Sequence, residues 1–279
     1  MKKRIVLIIK IFIVLVITCS VSSLIRVIAG ISNGEHSKPD FVTPAFQSFA
    51  VISQLLLIVS YIILEKYMPV HNKILKGLVF ISLFWSSDYI SQIIGLTGAS
   101  SSILSKEALS FSTILSDSAG YLICAVILGI FLSSDGLCVK RNCRPKKLIT
   151  TSLISMAAFP GILFLLEFTA GSINSNYTSA AAFSIEQNEK VSFYIVFYLF
   201  QALSGFLFPV FYRYTAFNSN STRKWRLFAA VYGLMLWSPV VFIVAFFGAD
   251  IRVTAVYAAI MAAAICLDTY LFARVMDKK

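Results

Sequence analysis

Eight long apolar runs fill almost the whole chain, and the connections between them alternate between rich and poor in Lys and Arg. A helical run of about 20 apolar residues spans the hydrocarbon core of a bilayer, and excess Lys and Arg mark cytoplasmic connections. The pattern predicts an all-α, polytopic integral membrane protein, a single transmembrane domain over 1–279 with both termini cytoplasmic. The predicted spans of this one bundle of eight helices are 5–28, 43–64, 77–97, 112–134, 148–170, 191–212, 227–248 and 253–274.

The composition agrees with a membrane protein and argues against a soluble or nucleic-acid-binding protein. Apolar residues make up 58% of the chain and charged residues 13%, whereas a soluble domain is about one quarter charged. The net charge of +11 is spread over short connections, where membrane topology accounts for it. The sequence therefore predicts the lipid bilayer of the cell membrane as a partner and no nucleic acid.

The residues that support metal or nucleophilic chemistry are sparse. The two histidines, His36 and His71, both lie in connections, and Cys138 and Cys143 share one basic connection with no histidine nearby. A structural zinc site needs about four ligands. The chain also lacks a phosphate-binding Gly-rich loop and His-Glu-x-x-His. We therefore predict no metal ion and no other cofactor.

Ionisable side chains inside the spans carry the functional signal, because burying them in a bilayer costs a few kcal/mol or more and they usually face the bundle interior. Asp88 lies near the middle of the third span, with Gln92 one turn further on the same face. Asp117 and Glu167 lie in the outer parts of the fourth and fifth spans. The predicted substrate- or proton-binding groups of an outward-opening pocket are Asp88, Gln92, Asp117, Glu167, Arg26 and Gln201.

Within this pocket, we expect Arg26 to pair with Glu167 or Asp117, and Asp88 and Asp117 to share a proton if their helices are neighbours. In the inner half of the bundle, Lys10 and Asp268 are predicted to form a structural ion pair across the first and eighth spans.

Structural roles are an open alternative for the pocket residues as well. Headgroups can solvate Glu167 and Arg26 near the interface, Asp117 can cap the fourth span, and Asp88 can bond between helices.

Two prolines near the middle of spans, Pro160 and Pro239, predict bends in the fifth and seventh helices. Bent helices with a polar interior favour a small permease or transporter-like protein. One alternative is a non-catalytic accessory protein that assembles with other membrane protein subunits. Another is a membrane-embedded enzyme acting on lipid or peptide. An aspartyl protease is disfavoured because neither Asp88 nor Asp117 follows the Gly-x-Gly of that class.

Overall fold

The protein is described by a computed structural model that covers residues 2–28, 42–82, 111–134, 144–173, 190–217, 224–232 and 251–277. Within these ranges the backbone is helical except at short connections, and no strand occurs, which confirms the all-α prediction there. Each helix overlaps one predicted span. The helices are α1 (Lys2–Ile28), α2 (Val42–Leu64), α3 (residues 73–82), α4 (Phe111–Leu132), α5 (Pro145–Ile173), α6 (Lys190–Thr215), α7 (Lys224–Tyr232) and α8 (Ile251–Asp277).

Length and apolarity qualify two of the described helical segments to cross a membrane. These segments are Pro145–Ile173 in α5 and Ala255–Asp277 in α8. Shorter apolar stretches occur at Ile5–Val21 and Ser118–Leu132. Together these helices support membrane association for the chain.

The helices fall into two compact units, the first comprising 1–86 and 106–139 and the second 87–105 and 140–279. In the first unit, α1 packs against α4 and α2. Two glycines bring the backbones of α3 and α4 together, because a Cβ on Gly77 would overlap the Ala125 carbonyl oxygen and one on Gly129 the Lys73 carbonyl oxygen. Small residues permit this close approach of helices.

In the second unit, α5 packs against both α6 and α8, and α7 packs against α8. Phe208 on α6 contacts two neighbouring helices, since its ring centroid lies 4.8 Å from that of Phe159 of α5 and 4.5 Å from that of Tyr232 of α7, both edge to face. Proline interrupts the hydrogen bonding of both α5 and α6, at Pro160 and Pro209. A bend was predicted from the sequence at Pro160 but not at Pro209. The second predicted bend, at Pro239, lies outside the described residues.

Candidate functional site

The structure describes part of the predicted pocket. Asp88 and Gln92 lie outside the described residues, and so do the side chains of Asp117 and Arg26. The pocket as a whole therefore stays a prediction. Its remaining members, Glu167 and Gln201, are both buried in the second unit. The predicted partner of Lys10, which is Asp268, is buried there as well.

The second unit contains a line of buried polar side chains between α5, α6 and α8, here called the polar seam. On α5 the spacing of three to four residues from Ser152 to Glu167 puts the polar groups and the core residues Phe159 and Leu163 on one helix face. On α6 the same spacing brings Gln201 and Ser204 to the side facing the core. The polar seam comprises Ser152, Ser155, Glu167, Gln201, Ser204 and Asp268.

Asp268 is the charged centre of the polar seam. Its side chain is fully buried, and one carboxylate oxygen, Oδ2, accepts a hydrogen bond of 2.6 Å from the Ser155 hydroxyl. The other oxygen, Oδ1, is buried without a hydrogen-bond partner. Among the described residues of the second unit, no Lys, Arg or His forms an ion pair with Asp268. The carboxyl group thus keeps one oxygen available for a proton, a cation or a hydrogen-bond donor.

Lys10, the partner predicted for Asp268, has an exposed side chain on α1 of the first unit. Within the second unit, Ser155 is the hydrogen-bond donor to Asp268, and it was not among the residues predicted from the sequence. The pairing of Lys10 with Asp268 stays a prediction.

Gln201 adds a neutral donor and acceptor to the polar seam. The side chain is fully buried, and neither its Oε1 nor its Nε2 has a hydrogen-bond partner. It lies one helical turn from Gly205, where α6 comes so close to α5 that a Cβ would overlap the Ser155 carbonyl oxygen. Gln201 therefore lies within about 6 Å, measured along the helix axis, of the level of Ser155. Buried amides are normally hydrogen-bonded, so this one is available to a bound solute or to water.

Glu167 marks the far end of the polar seam. Tyr198 on α6 donates a hydrogen bond of 2.6 Å from its hydroxyl to Glu167 Oε2, which fixes the carboxylate against α6. The separation of Ser155 and Glu167 along α5 corresponds to about 18 Å at 1.5 Å per residue. A bilayer core is about 30 Å thick. The two ends of the polar seam are thus separated by more than half the thickness of such a core, with Phe159 and Leu163 between them on the same face of α5.

The first unit contains a buried ion pair that the sequence analysis missed. Lys76 Nζ lies 3.2 Å from Glu65 Oε2 and donates a hydrogen bond of 3.1 Å to the Ser134 carbonyl oxygen. The Ser134 hydroxyl in turn donates to Glu65 Oε1 at 2.8 Å. The pair joins α3 to the ends of α2 and α4. By its position in the sequence, Lys76 is a basic residue that flanks the third predicted span. The available signal was an acid and a base on either side of one short connection.

The side chains of the polar seam can form hydrogen bonds, attract a positive charge and exchange protons. Within the described ranges, no group of three or more His, Cys, Asp or Glu side chains is placed to hold a metal ion. No known protein family, curated protein or solved structure matches this chain. The function is therefore argued from the polar seam and its surroundings.

Proposed function

We propose that this chain is a permease: a multi-pass protein of the cell membrane that crosses the bilayer about eight times, with both termini in the cytoplasm. In this proposal the polar seam lines the route of a small polar solute or ion. The outward-opening pocket predicted from the sequence, of which Glu167 is a member, would supply the entrance.

The observation that carries the proposal is that the second unit buries polar side chains and exposes large apolar ones. Asp268 and Gln201 are 0% exposed, whereas Leu165 and Leu199, on the same group of helices, are 63% and 66% exposed. In water, large exposed apolar surfaces are unfavourable and mark contact with another apolar phase. In a lipid bilayer the same arrangement is favourable, because the acyl chains cover the leucines and the polar groups face the bundle interior.

The polar seam favours a particular kind of solute. An unpaired carboxylate is costly in apolar surroundings, so Asp268 is stabilised by a proton or by a solute that brings positive charge. Ser155 holds Oδ2 in place while Oδ1 receives that proton or solute. Gln201, within about 6 Å of the level of Ser155 along the helix axis, would bind either a donor or an acceptor on the same solute. Pro160 and Pro209 weaken the backbone hydrogen bonding of the two helices at this level, as in other helices that line cavities.

The test compares two neighbouring residues of α6 that differ in exposure. Ser204 is buried in the polar seam, and Leu203 is 45% exposed on the apolar outer face. Each is changed to Cys in a variant without the five native cysteines, and membranes are treated with a charged thiosulfonate that does not cross lipid. The permease predicts modification of Ser204→Cys, which water reaches through the polar seam, and no modification of Leu203→Cys, which lies in lipid.

Two results would count against the proposal. If neither thiol reacts from either side of the membrane, the polar seam is closed helix packing, as in an accessory protein. If Leu203→Cys reacts as fast as Ser204→Cys, the outer face of α6 contacts water instead of lipid, and the membrane-spanning arrangement is wrong.

A further inference from the structure

A cluster of arginine and aromatic side chains lies where α7 begins and α8 ends. The Arg226 guanidinium carbon is 5.2 Å from the ring centroid of Trp225, and that of Arg274 is 4.7 Å from the ring centroid of Tyr270. The two rings meet edge to face at 5.2 Å, which links the two helices. These four residues are here called the arginine–aromatic cluster. Both arginines are exposed, and each guanidinium is positioned by its ring.

The positive charge of the arginine–aromatic cluster is not neutralised by the acid nearest in sequence. Asp277 forms an ion pair with Lys224 at 2.5 Å and accepts a hydrogen bond of 3.1 Å from the Tyr212 hydroxyl. In the part of the chain that the structure describes, no acidic side chain forms an ion pair with Arg226 or Arg274. The cluster therefore presents two positive charges to its surroundings.

An apolar stripe continues from the arginine–aromatic cluster along α8. Leu267 and Leu271 are 48% and 46% exposed, and they lie about two turns and one turn before Arg274 on the same side of the helix. Over about 10 Å the stripe thus passes from aliphatic side chains through Tyr270 to a guanidinium. A phospholipid has the same order of groups: acyl chains, a glycerol backbone and a phosphate.

We propose that the arginine–aromatic cluster binds the headgroup of an anionic phospholipid, with its acyl chains along Leu267 and Leu271. Guanidinium groups bind phosphate oxygens in pairs of parallel hydrogen bonds, which favours Arg over Lys at such a site. Trp and Tyr are enriched at the level of lipid headgroups. In the membrane topology proposed above, on which this inference rests, this end of the unit lies at the cytoplasmic leaflet, where anionic lipid attracts basic residues. The lipid would join α7 to α8 at their cytoplasmic ends.

The experiment measures the thermal unfolding midpoint of the purified full-length chain in a neutral detergent. Phosphatidylglycerol, phosphatidylcholine and sodium phosphate are added in separate samples at equal phosphate concentration. Phosphatidylglycerol is expected to raise the midpoint by several degrees, because a ligand that binds only the folded state stabilises it. Neither of the other two additives is expected to do so. The double variant Arg226→Gln/Arg274→Gln is expected to lose the shift.

Lys146→Gln is the matched control, since Lys146 is an exposed cation of the same unit outside the arginine–aromatic cluster. It is expected to keep the full shift. If the double variant does not fold, Arg274→Lys replaces it, and the shift is expected to fall because the planar fork is lost while the charge is kept. An undiminished shift in the double variant or in Arg274→Lys, an equal shift with phosphatidylcholine, or a shift with phosphate alone would each overturn the proposal.

Discussion

Replacement of Gly205 by Ala tests the close contact of α5 and α6 that positions the polar seam. The new Cβ would overlap the Ser155 carbonyl oxygen and lie 3.0 Å from the Phe159 Cβ. Neither obstacle can rotate away, because one is backbone and the other is the first side-chain atom of a fully buried ring. Carbon atoms pack favourably at about 3.5–4.0 Å, so α6 has to move outward or bend.

The magnitude follows from comparison with a second helical glycine of the same unit. Nothing lies within 4 Å of a Cβ on Gly161. Gly161→Ala therefore gains only helix propensity, up to about 1 kcal/mol, and Gly205→Ala gains the same amount while it overpacks the contact. Overpacking of a well-packed interior costs about 1–3 kcal/mol. The free energy of unfolding of Gly205→Ala should therefore lie about 1–3 kcal/mol below that of Gly161→Ala.

The assay is unfolding by a denaturing detergent in mixed micelles, followed by tryptophan fluorescence, with both variants measured against the parent chain. We expect Gly161→Ala to be as stable as the parent or slightly more stable, and Gly205→Ala to be less stable than both. Equal stability of the two variants would refute the close packing of α5 and α6 at Ser155, and with it the position of the polar seam.

Two further predictions concern buried polar contacts, and the same unfolding assay checks both. Lys76→Met should lower the free energy of unfolding by about 3–5 kcal/mol, because it leaves Glu65 charged and buried; Lys76→Met/Glu65→Gln should recover part of the loss, and no recovery would contradict the pairing. Tyr198→Phe should cost about 1–3 kcal/mol by removing the hydrogen bond to Glu167, whereas Tyr214→Phe, at an exposed position, should cost nothing measurable.

Each described helix overlaps a predicted span because long apolar runs favour helices, whereas the number of spans and their place in lipid stay predictions. The sequence also drew attention to Glu167, Gln201 and Asp268, since a charged or amide side chain is conspicuous within an apolar run. The structure places all three in the interior of the second unit.

The partners of these residues depend on which helices touch, and a single sequence does not contain that information. Ser155 is one of many serines in apolar runs, and only the contact with α8 makes it the hydrogen-bond donor to Asp268. Gly205 likewise gains its importance from the α5 backbone opposite it. The pairing of Lys10 with Asp268 was predicted from depth alone, and it stays a prediction because depth does not specify the neighbouring helix.

Lys76 shows a different limit of sequence reasoning. The rule that assigns basic residues to the cytoplasmic side counts each of them as a solvated flank. Lys76 fits that rule by position, yet its side chain is only 2% exposed and contacts Glu65. Topology and burial are separate properties, and only the first can be read from a charge count.

The central claim, that lipid covers the apolar outer faces of these helices, is tested most directly at two positions of α5. Lys146 and Leu153 are both exposed and lie two turns apart on the same face, so they differ mainly in depth by about 10 Å. Each is changed to Cys in the variant without native cysteines, labelled with a nitroxide and reconstituted in liposomes. Collision rates with oxygen, which concentrates in lipid, and with a water-soluble nickel chelate are then measured by electron paramagnetic resonance. We predict that oxygen dominates at Leu153→Cys and nickel at Lys146→Cys; nickel dominating at both positions would contradict the claim.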